Sequence, residues 1–166
     1  MRYTLAACCA LLVGLTGCGD DEPTTPAGCV DYSAVSGTPS FADDVMPIFQ
    51  TTCNFSSCHG TNATSPQEGL LLGPPSTDTA TQEQIDDVHA GIVGQAASQS
   101  SLSLVSTGDP AASYLMVKVD YADISGGCAT NGCSSGCGTQ MPPADALANG
   151  DATTLRQWIA SGAPNN

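Results

Sequence analysis

A chain of 166 residues with 16 acidic and 3 basic side chains carries a formal charge of −13, and only 11% of its residues are charged, against roughly 25% in an ordinary soluble domain. Three bases cannot neutralise a run of phosphates, which excludes nucleic acid as a partner, and the same deficit disfavours adsorption of the folded surface to anionic lipid. With 3 Phe, 4 Tyr, 1 Trp and 18 Gly, one domain of this length has a thin core, so stabilisation from disulfides or a cofactor is expected.

Residues 1–17 read as a leader. Arg2 is followed by an apolar run from Leu5 to Leu15, too short to span a bilayer and suited to a signal-peptide core. It ends in Leu15-Thr16-Gly17-Cys18, which resembles the bacterial lipoprotein lipobox. That resemblance implies cleavage before Cys18 and lipidation of its thiol; plain secretion is the other reading. Cys8 and Cys9 leave with the leader. From position 18 onward seven cysteines remain, and lipid on Cys18 leaves an even six. Residues 18–39 are then the lipidated cysteine and a flexible tether, with a single folded domain over 40–166. The expected location is the cell envelope, at the outer membrane or the periplasmic face. The membrane is reached through the lipid anchor only.

From Ser40 to Thr52 the apolar residues Phe41, Val45, Ile48 and Phe49 recur at helical spacing, with Asp43 or Asp44 as the expected cap and Pro47 in the first turn. This helix leads into Cys53-Asn54-Phe55-Ser56-Ser57-Cys58-His59-Gly60. Two cysteines followed at once by histidine are what c-type haem attachment requires: the thiols form thioethers and the imidazole reaches the iron. The usual spacing between the cysteines is two residues, and here it is four. A Cys53–Cys58 disulfide with a surface His59 fits the same residues.

Residues 68–72 read as an extended or turn segment before Gly73-Pro74-Pro75. Thr81 to Gly91 is an expected helix with Ile85, Val88 and Ile92 on one face, and His89 beside that face is a rival iron ligand or a hydrogen-bonded histidine. Residues 94–107 form a Ser/Gln/Gly-rich loop, and Asp109-Pro110 opens a further helix that buries Tyr114, Leu115 and Met116. Cys128, Cys133 and Cys137 share one loop. If haem takes two cysteines, these three and Cys29 are the disulfide candidates, and full pairing ties Cys29 to the loop. A zinc site from the three loop cysteines is the competing idea, disfavoured by export.

Met141 lies in Gly138-Thr139-Gln140-Met141-Pro142-Pro143, just ahead of a final helix with Asp151 as cap, Leu155, Trp158 and Ile159 as apolar face and Gly162 as stop. It suits an axial thioether, or a gap-filling place in the core. Lys118 is the only lysine, so no phosphate loop is present, and the paired acids at 43–44 and 86–87 read as solvated surface. No catalytic constellation emerges.

Together, Phe41 to Phe49, Cys53 to Gly60, Gly108 to Leu115, Met141-Pro142-Pro143 and Trp158 to Pro164 resemble a family of exported cytochrome-c-like domains common in myxobacteria and planctomycetes, of the class I type. The similarity runs over about residues 41–164 and is loose over 61–107. The resemblance implies a small, mainly α domain with long loops. It also implies one haem c on Cys53 and Cys58, with His59 and Met141 as axial ligands of the iron. The four-residue cysteine spacing departs from the family pattern and bears on covalent attachment more than on the fold. The expected function is one-electron transfer, not catalysis, with a redox partner that docks through a basic surface. The alternatives are a haem-free, disulfide-stapled lipoprotein that binds or supports other molecules, and a five-coordinate haem enzyme in which Met141 does not bind iron.

Overall fold

Several elements of the fold begin where a side chain satisfies backbone groups that the element cannot. In the computed structural model, which describes residues 30–120 and 138–166, Ser40 is one such side chain. Its hydroxyl accepts the Asp43 N–H, and its own N–H donates to the Asp44 carboxylate at 2.7 Å. Ser40 is therefore the cap, in place of Asp43 or Asp44. One wide π-turn over Phe41–Val45 passes into helix α1, Met46–Thr52, with Pro47 near its start. The change of register falls where Pro47 has no N–H to give to the preceding turn.

Helix α2, Gln82–Ile92, is closed by a capping box in which Thr81 and Gln84 satisfy one another's backbone, and it buries Ile85, Val88 and Ile92 as expected. The segment after Asp109 is broken: a 3₁₀ turn over Pro110–Ala112 is capped by Asp109, and helix α3 then runs Tyr114–Val119. Ser113 between them is extended because it bridges to Ser103 and its hydroxyl donates to the Asp109 carbonyl. Helix α4 spans Asn149–Ala160 and starts after Ala148, so Asp151 sits inside its first turn and is not the cap. It stops as the sequence implies. Gly162, at φ 104°, donates to the Ile159 carbonyl and Ala163 to the Trp158 carbonyl, the paired bonds of a left-handed helix end.

The described residues are mainly helical, with isolated bridges and no sheet. Those bridges order the 94–107 segment against Val93 and Ser113. Trp158 is fully buried and stacks on Phe41, ring centres 5.0 Å apart; Phe49 and His89 meet Phe41 edge-on. His89 is thereby spent on the core: its Nε2 pairs with the Ala163 carbonyl at 2.8 Å. Met116 is fully buried in the same cluster. Arg156 on α4 makes a two-pronged pair with Asp120, just past α3, whose carboxylate also accepts the Tyr32 hydroxyl at 2.6 Å. Tyr32 packs on the core, so part of the segment read as tether is folded against the domain. The leader, Cys18, Cys29 and the loop holding Cys128, Cys133 and Cys137 lie outside the described residues.

Candidate haem-binding cavity

The Cys-His segment is tied down at both ends before any ligand is considered. Cys53 closes α1, its N–H donating to the Phe49 carbonyl at 2.9 Å. Asn54, only 2% exposed, donates to the carbonyls of Leu72 and Pro74 at 2.7 and 3.0 Å. At the far end, Gly60 lies so close to Asn54 that a Cβ there would stand 2.5 Å from the Asn54 carbonyl oxygen. Only glycine allows that approach. The loop thus turns back on itself, and the His59 N–H reaches the Cys53 carbonyl at 3.1 Å despite the longer spacing. The neighbouring segment, a 3₁₀ turn over Gln67–Gly69 and the residues to Leu72, completes the frame, with Leu72 donating to the His59 carbonyl and Gln67 to the Cys58 carbonyl.

The His59 ring is oriented by its own contact. Nδ1 lies 3.0 Å from the Leu70 carbonyl oxygen. A carbonyl can only accept, so Nδ1 carries the proton and Nε2 keeps the lone pair of the neutral ring, the form a metal takes. Met141 comes from the other side of the chain. Its N–H donates to the Lys118 carbonyl at 3.0 Å, which hangs the loop before α4 on helix α3.

Cys53, His59 and Met141 open onto one cavity of about 740 Å³. Phe49, Leu72, Val105, Leu147 and Leu155 give it apolar walls. The volume lies within the roughly 300–1,000 Å³ of cofactor and ligand sites. Cys58 is half-buried on the loop and is not on the cavity wall. Both Cys53 and Cys58 are free thiols. Burial pushes the Cys53 thiol above its ordinary value and the nearby Cys58 adds to this, against a contact from the Thr52 hydroxyl at 3.4 Å. A tied imidazole and a thioether facing one cavity suit haem iron, and a thiol on the same wall suits thioether attachment, so these three residues fit that group.

Four of the residues that build the site carry no motif. Asn54 and Gly60 shape the loop, the Leu70 carbonyl fixes His59, and Lys118 holds Met141 through its backbone. Among the described residues no group of three or more His, Cys, Asp or Glu side chains could hold a metal ion, and no helix is long and apolar enough to cross a membrane. No protein-family model, curated protein or solved structure matches the chain.

Proposed function

We propose that the protein is a c-type cytochrome of the cell envelope that carries single electrons through one haem. Cys53 and Cys58 would hold the group covalently, and His59 and Met141 would be the axial ligands of its iron. The observation that carries this reading is the convergence of Cys53, His59 and Met141, from separate parts of the chain, on one apolar-walled cavity of cofactor size. When bound, the haem supplies a reversible one-electron couple. The chain's own residues set its terms. The proton on His59 Nδ1, held by the Leu70 carbonyl, leaves Nε2 as the donor. The neutral thioether of Met141 favours the ferrous state and raises the potential relative to a second histidine. The apolar side chains on the wall would disfavour water at the iron, and ligation by both His59 and Met141 would leave no open position for catalysis. Lipid on Cys18 would hold the domain at the membrane.

The test is to express the chain from Gly28 in a periplasm equipped for haem maturation, then record pyridine haemochrome spectra and an intact mass. A c-type spectrum that survives acid-acetone extraction, with the mass of one haem added, is the expected result. A colourless protein whose mass lacks the hydrogens of paired thiols overturns it.

A further inference from the structure

The two thiols of the Cys-His segment do not stand alike toward the cavity. Cys53 follows the last residue of α1 and is on the cavity wall with Phe49 and His59, its thiol 3.4 Å from the Thr52 hydroxyl. Cys58 is half-buried off that wall, its thiol 3.7 Å from the hydroxyl of the exposed Ser57. Both backbone groups of Cys58 are engaged: its N–H donates to the Phe55 carbonyl at 2.9 Å and its carbonyl accepts the Gln67 N–H at 3.1 Å. The loop between the cysteines resists moving as a body. Asn54 spends its amide hydrogens on the carbonyls of Leu72 and Pro74, and its Oδ1 is buried with no hydrogen-bond partner among the described residues. Turning the amide over would set Oδ1 against two carbonyl oxygens, so the clamp has one orientation. Gly60 closes the far end on the Asn54 carbonyl at a distance no Cβ tolerates.

A thiol forms a thioether by adding across a vinyl double bond: sulfur bonds to the carbon nearest the ring, the thiol hydrogen goes to the outer carbon, and nothing is oxidised overall or released. The addition needs sulfur held against the vinyl carbon, and orientation of that kind governs its rate. Cys53 is on the wall as the chain folds. Cys58 must first leave Ser57 and turn toward the cavity while its backbone stays tied. We infer that the cavity is set for attachment through Cys53, which forms the first thioether and suffices to hold the cofactor, with Cys58 adding the second afterwards. This rests on the proposed function and ranks the two cysteines within it. The four-residue spacing is the source of the inequality, because it sets Cys58 on a separate turn of the loop from Cys53.

The chain from Gly28 is matured with haem in the periplasm and taken from cells soon after induction, then unfolded and alkylated with iodoacetamide. Fragment masses locate the haem and the label. The expected singly attached species carries haem on Cys53 and label on Cys58. At full maturation Cys58→Ser should keep one covalent haem through acid-acetone extraction, with its pyridine haemochrome band at longer wavelength because one vinyl is left. Cys53→Ser should lose covalent haem. Haem on Cys58 with label on Cys53 in the early species, covalent haem kept by Cys53→Ser, or covalent haem lost from Cys58→Ser each overturns the ranking and leaves the proposed function standing. A wild-type chain that takes up no haem by mass and haemochrome sinks the proposed function, and the ranking with it.

Discussion

Met141 and His59 reach the same cavity with different degrees of constraint. The His59 ring is fixed by a hydrogen bond of its own, whereas only the backbone of Met141 is held, by the Lys118 carbonyl. Met141→Ala should therefore keep the haem attached while removing the weak methionine-to-iron absorption band and lowering the midpoint potential, as read by a spectroelectrochemical titration. A ferric spectrum that does not change would place Met141 in the core instead. Cys53 gives a second residue-scale outcome, in the haem-free chain. Burial raises its thiol pKa above 9.0, so the neutral form is favoured on folding. Its contribution is whole below pH 9.0 and is lost as pH rises through the folded value. Urea midpoints of the wild type should accordingly fall relative to those of Cys53→Ala as pH rises past 9.0.

At the scale of elements, apolar periodicity was the reliable signal and capping was not. Ile85, Val88 and Ile92 mark the buried face of α2 without ambiguity, and Gly162 marks the end of α4, because each depends on neighbours within the same helix. The caps depended on choices between adjacent polar residues. Ser40 is the cap in place of Asp43 and Asp44 because a π-turn widens the helix start, and α4 begins before Asp151, just after a buried Leu147. The break at Ser113 comes from a bridge to Ser103, a partner that local pattern does not announce. In the site, the Cys-His segment and Met141 could be read from the chain, but the Leu70 carbonyl and Lys118 could not. Their roles exist only after loop 67–73 and helix α3 close on the cavity. Two outcomes belong here. Thr81→Ala removes the hydroxyl half of the α2 capping box and should cost about 1 kcal/mol in chemical denaturation. Arg156→Met leaves the Asp120 carboxylate, 5% exposed, without its guanidinium and should cost on the order of 3 kcal/mol by the same measurement.

For the whole molecule the governing quantity is the net charge of −13, carried by 16 acids against 3 bases. Two of those bases lie among the described residues and both are engaged: Arg156 with Asp120, Lys118 on the cavity wall. The surface field is therefore negative, and under the proposed function it would steer an encounter with a basic electron donor over distances that salt shortens. The Debye length is about 10 Å at 0.1 M ionic strength and about 3 Å at 1 M. Near the Cys-His segment the exposed Phe55 and Leu71 add apolar surface whose contribution salt does not screen in this way. The second-order rate of electron transfer from a small basic protein donor should thus fall steeply as ionic strength rises, then level off at the part set by apolar contact. An acidic donor of similar potential should show the opposite slope. Stopped-flow measurements over this salt range decide it: a rate with the basic donor that ignores added salt would remove electrostatic steering from the account and leave the choice of partner to shape and apolar contact.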